Sequence, residues 1–176
     1  MIKIFEKRQD NRITELCVFA IMIALDVVLS RFLSFKTFDT KLSLSFLTTV
    51  FIAVSYGPYK SALFAIICDL IGALLFPFGP YFFGFTATAG LRGLIWGMFL
   101  YERKSLKSIL LAVFSEQIIC SLILNSLWIS YLYHTPYIVN IGKRMAFQVP
   151  AVAILELVVL SMLILGFKKE NWKILE

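Results

Sequence analysis

Gly84-Phe-Thr-Ala-Thr-Ala-Gly-Leu-Arg-Gly-Leu-Ile-Trp-Gly97 lies inside an apolar run from Phe82 to Leu100 and carries a single charge, Arg92. A run of this length is what a membrane-spanning helix needs, about 20 residues. A guanidinium near its middle is costly in hydrocarbon, so it must face a protein interior or a water-filled cavity. Its rigid fork of donors suits planar carboxylates. The stretch therefore reads as a spanning helix that presents Arg92 to a pocket for an anionic organic molecule.

The rest of the chain extends that reading. Of 176 residues, 60% are hydrophobic and 16% charged, and the mean hydropathy is +0.85. This is the composition of a polytopic membrane protein. Apolar runs set against their breakers predict six spans, at about 14–33, 43–56, 60–76, 81–101, 106–133 and 144–167. Pro58 and the Pro77-Phe-Gly-Pro80 cluster fall where turns are needed. The expected fold is an all-α integral membrane protein, one six-helix domain over residues 1–176. No length remains for a soluble catalytic or nucleotide-hydrolysing module.

With both termini on one side, that side holds eleven cations: Lys3, Lys7, Arg8, Arg12, Lys60, Arg103, Lys104, Lys107, Lys168, Lys169 and Lys173. The other side holds five, namely Arg31, Lys36, Lys41, Lys143 and Arg144. The bias places both termini in the cytoplasm and the pocket in the outer half of the bundle. The charged leader up to Arg12 runs into a full-length span, unlike a cleavable signal peptide. The five outer cations meet one acid, Asp39, and together draw anions toward the mouth of a cavity. Taken singly, each is an ordinary lipid-facing or snorkelling charge.

Inside the spans, away from their ends, the charged residues are Asp26, Asp69, Arg92, Glu116 and Glu156. An interhelical pair or a carboxyl kept neutral by burial is the ordinary role for such acids, with Asp26 and Asp69 as possible partners of Arg92 and Glu116 a structural residue. The fourth helix sorts into two faces. Ala89, Gly93 and Gly97 form a small-residue stripe for close helix packing. Phe85, Thr88 and Arg92 share the neighbouring face. The fifth helix carries Gln117, Ser121, Asn125 and Trp128, in which Asn125 offers an amide and Trp128 a flat ring. Trp128 is equally readable as an interfacial belt residue. Gln148 is a further candidate on the sixth helix. On the first helix, Ala20 and Ala24 form an A-x-x-x-A groove pointing away from Asp26, the kind of surface another helix packs on.

Other chemistries find no support. Cys17, Cys68 and Cys120 are scattered without ligand or disulfide spacing. The lone His134 has no companion for a metal, and no cofactor is expected. Gly57-Pro-Tyr-Lys-Ser61 lacks the first glycine and the spacing of a phosphate-binding loop. No catalytic constellation is present, so an enzyme is not expected. The pI of about 9.3 arises from membrane-flanking charge, which argues against nucleic-acid binding.

The chain resembles the substrate-binding S components of energy-coupling factor (ECF) vitamin transporters, within them the folate-type subgroup. The resemblance is most specific from Asp69 to Gly97. It extends to Ala20-Ile-Met-Ile-Ala24, to Val28-Leu-Ser-Arg-Phe32 and to Lys41-Leu-Ser-Leu-Ser-Phe46. It implies a multi-pass subunit of a bacterial plasma membrane that binds folate from outside. Such a subunit associates with a transmembrane coupling subunit (EcfT-like) and two cytoplasmic ATPases, and Ala20 and Ala24 would meet the coupling subunit. Arg31 and Arg92 would then contact the vitamin by charge or at the ring's acceptors. Phe85 and Trp128 would stack, Asn125 would bond the pterin edge, and Thr88 and Gln148 would complete the wall. Lys36 and Phe38 would cover it from the first outer loop. The alternatives are the same family with pantothenate, biotin, riboflavin or thiamin, or a membrane scaffold subunit of cell-wall elongation.

Overall fold

The computed structural model describes residues 2–31, 34–37, 40–77, 81–101 and 105–169. Helix α1 (Ile2–Arg31) leads into a short antiparallel hairpin, β1 (Ser34–Thr37) and β2 (Thr40–Ser43), with Lys36 opposite Lys41. Then follow α2 (Phe46–Tyr56), α3 (Pro58–Leu75) and α4 (Phe83–Leu100). Helix α5 (Leu106–Glu116) passes through a π-helical segment, Gln117–Leu124, into α6 (Asn125–Tyr133). Helix α7 (Tyr137–Lys143) passes through a second π segment, Arg144–Gln148, into α8 (Val149–Lys169). The expected all-α layout is thus helical apart from the hairpin, which occupies part of the first loop. The expected first span, 14–33, is part of a longer helix that ends at Arg31, and residue 43 belongs to β2 rather than to the second helix.

Among the described residues, Arg12–Arg31, Pro58–Leu75 and Leu106–Tyr133 are long and apolar enough to cross a membrane. Tyr137–Ala146 with Val149–Met162 makes a fourth if the pair, bent by 44°, counts as one span. Helix α2 has only 11 residues, and α4 is diluted by Arg92 and its glycines.

Glycine decides the tightest contact. A Cβ on Gly93 would stand 2.4 Å from the Ser61 carbonyl oxygen, and one on Gly97 only 2.2 Å from Cα of Pro58. Backbone therefore meets backbone between α3 and α4, and the Ser61 hydroxyl donates to the Gly93 carbonyl at 2.7 Å. The expected stripe needs one correction. Gly90, against Ile66, continues the α3-facing row, while Ala89 turns to the cavity described below. Gly57, at φ +85°, reverses the chain before Pro58 opens α3.

The apolar core fills one end of the bundle. Phe46, Val50, Ala53, Trp96, Leu100, Ile109, Ala112, Val113 and Leu160 pack together there, joining α2, α4, α5 and α8. Trp96 is fully buried. A second cluster, Ile52, Phe64 and Cys68, receives Phe19, Met22 and Ile23 of α1. With this end closed, the polar residues gather at the other.

Candidate functional site

A cavity of about 530 Å³ opens between α3, α4, the α5–α6 helix and the start of α8. This volume suits a drug-sized organic molecule. Its floor is polar and buried. Arg92 Nε donates to Glu116 Oε1 at 2.8 Å, and Gln117 Nε2 donates to Glu156 Oε2 at 3.0 Å. Glu116, Gln117 and Glu156 are all buried, whereas the Arg92 side chain is 35% exposed and lines the cavity. Arg92 is therefore paired without being sealed off.

The partner is a correction. The candidate counter-charges, Asp26 and Asp69, are both engaged elsewhere. The Thr48 hydroxyl donates to Asp26, while Thr86 Oγ1 donates to Asp69 Oδ2 at 2.7 Å and also bonds the Tyr81 hydroxyl at 2.7 Å. The reason is depth in an antiparallel pair. Arg92 lies 8 residues before the end of α4 at Leu100, and Glu116 lies 10 residues after the start of α5 at Leu106. At about 1.5 Å per residue the two reach the same level. Glu116, expected to be structural, is thus part of the site.

Of the other expected residues, Arg31, Phe85, Thr88, Asn125 and Gln148 line the cavity together with Arg92. Trp128 does not. Its Nε1 donates to Thr88 Oγ1 at 3.0 Å, its ring leans on Phe82 at 5.3 Å between centroids, and its indole sits on Gly84, where a Cβ would be 2.6 Å away. Phe82, which lines the cavity, takes the aromatic position expected of Trp128. The π segment explains the change. In a continuous α-helix of about 3.6 residues per turn, Gln117, Ser121, Asn125 and Trp128 would share one face. The wider π turns rotate more slowly, so the face runs on through Ile129 and Leu132, and Trp128 swings toward α4. Lys36 is described at its backbone only, in β1, and Phe38 lies outside the described residues, as do Asp39, Arg103, Lys104 and Lys173.

Several lining residues are not evident from sequence: Glu116, Glu156 and Asp69, expected as structural acids, and Arg144, expected in the outer charge cluster, all face the cavity. Arg144 lines the cavity and its Nη1 donates to the Ser121 carbonyl at 3.1 Å, within the first π segment. Three buried acceptors on cavity residues take no protein hydrogen bond: Glu116 Oε2, Gln117 Oε1 and Gln148 Oε1. The site thus combines guanidinium donors, amide and carboxylate acceptors, and the rings of Phe82 and Phe85. That set matches a flat heterocycle with mixed donors and acceptors plus an anionic end. Among the described residues no cluster of His, Cys, Asp and Glu could hold a metal ion.

On α1, Ala20 and Ala24 are exposed while Asp26 is buried. Ile21, Leu25 and Val28 are also exposed, so this helix keeps a broad apolar surface outside the bundle.

Comparison with known proteins gives consistent matches. The family model for "ECF transporter, substrate-specific component" matches residues 14–169. The folate transporter FolT of Clostridium novyi (strain NT) is 32% identical over 123 residues, 69% of this chain and 72% of that protein. The folate transporter FolT of Leuconostoc mesenteroides subsp. mesenteroides is 38% identical over 120 residues, 67% of this chain but just 64% of that protein. A crystal structure of FolT bound with folic acid superposes with a TM-score of 0.79 at 28% identity, covering 85% of this chain and 91% of that one.

Proposed function

Because the chain belongs to the substrate-specific components of ECF transporters, we propose that it captures folate from outside the cell and hands it to an energised partner complex. The observation that carries the reading is the cavity floor. Glu116 and Gln117 hold acceptors without protein partners beside a partly exposed Arg92. The pterin ring of folate offers an amino group and a ring N–H to such acceptors, and a carbonyl to the guanidinium. Phe82 and Phe85 supply the aromatic wall, and Thr88, Asn125 and Gln148 line its flanks. The two glutamate carboxylates then lie toward Arg31 and the outer cations, including Lys36. Of the two roles expected for Arg92, charge or the ring's acceptors, this reading takes the second. Arg92 reads the ring, and Arg31 reads the charge.

In this reading the chain is a single six-helix unit with both termini in the cytoplasm, its cavity opening outward in a bacterial plasma membrane. The exposed Ala20 and Ala24 let a helix of a transmembrane coupling subunit approach α1 closely, and two ATPases on separate chains supply the energy. Family membership removes the cell-wall scaffold from consideration.

The test is a titration of the purified protein with folate, alongside mass spectrometry of any molecule that co-purifies. Saturable one-to-one binding is expected. No folate binding, with pantothenate, biotin, riboflavin or thiamin retained instead, would overturn the choice of vitamin.

A further inference from the structure

Gly72 sits in the interior of α3, where glycine is a poorer helix former than alanine. Its place on the helix explains what the absent side chain does. A Cβ there would stand 2.9 Å from Nη2, 3.1 Å from Nε and 3.4 Å from Cζ of Arg31. The guanidinium at the end of α1 therefore lies across the bare backbone of α3. Asp69, about one turn before Gly72 on α3, and Ala73, next to it, both line the cavity, as does Arg31 itself. Asp69 also acts electrostatically on Arg31, and Asp26 does so more weakly.

From this contact we infer that Gly72 is a specificity-determining position that seats Arg31. By withholding a Cβ it lets the guanidinium rest at the cavity wall, and so sets the preference for an anionic end on the substrate. The inference rests on the folate reading. The contact is with the far end of a flexible side chain and not with backbone, unlike those at Gly93 and Gly97. A methyl group at residue 72 thus displaces Arg31 and leaves the packing of α3 intact.

The experiment compares folate with pteroate supplied as its uncharged amide, which keeps the pterin and lacks every carboxylate, on the full chain in detergent. Gly72→Ala is expected to weaken folate binding about tenfold or more, the loss of one charged hydrogen-bond partner. Affinity for the amide stays within about twofold, and the melting temperature does not fall. Arg31→Ala shows the same split, and the double variant binds folate no worse than Arg31→Ala alone, since both changes remove one interaction. Equal losses for folate and the amide, unchanged folate binding by Gly72→Ala, or additive losses in the double variant each overturn the role of Gly72 and leave the folate reading standing. Failure of the unaltered protein to bind either compound overturns the folate reading and this inference with it.

Discussion

The cavity floor concentrates the chemistry in a few side chains, and their substitutions separate by what each one leaves behind. Arg92→Ala removes a cavity donor, so folate affinity falls about tenfold to a hundredfold in an equilibrium titration while the protein still inserts. It also strands Glu116, which is 1% exposed. Glu116→Ala leaves the guanidinium without its carboxylate but still open to the cavity, so the loss is that of one charged hydrogen bond, about 1.5–3 kcal/mol, to be read as a lower thermal midpoint in detergent. Trp128→Phe behaves differently. It loses the bond to Thr88, about 1 kcal/mol of stability, but removes no cavity-lining surface. Folate affinity should stay within about threefold. A larger drop would put Trp128 back in contact with the ligand.

Among the elements, the α3–α4 pair and the α5–α6 helix define the site. The first is held by backbone contact at Gly93 and Gly97. Pro58 cannot move aside as a side-chain tip would, so Gly97→Val should separate the helices. The expected outcome is loss of monodisperse protein in size-exclusion chromatography, or destabilisation of about 3 kcal/mol or more. The α5–α6 helix contributes through its π segment, which keeps Gln117, Ser121 and Asn125 on one face and offers the Ser121 carbonyl to Arg144. Helical periodicity read from the sequence assumes uniform α geometry, so a π segment was beyond its reach. The turn of Trp128 away from the cavity-lining face came from there. The Arg92–Glu116 pair was out of reach for a related reason: the two lie at matching distances from the α4–α5 turn, but the rotation of each helix decides whether they face one another.

At the scale of the whole molecule, the core closes one end of the bundle and the cavity occupies the other, while α1 lies at the side with its alanines exposed. In the proposed function, binding and docking therefore use different surfaces. Ala24→Trp should leave folate titration unchanged and impair folate uptake by cells carrying the complete transporter. If uptake survives, the coupling subunit docks elsewhere.

Composition, the long apolar runs and the arginine inside one of them were enough to indicate a membrane protein with a polar pocket, because hydropathy and the cost of charge in hydrocarbon act on local sequence. The motif from Asp69 to Gly97 was enough to indicate the family. Folding decided which acid meets Arg92, which aromatic ring faces the cavity, and why α3 needs a glycine under Arg31. Each of these depends on the rotation and depth of one helix against another, and the order of residues along a single helix does not encode them.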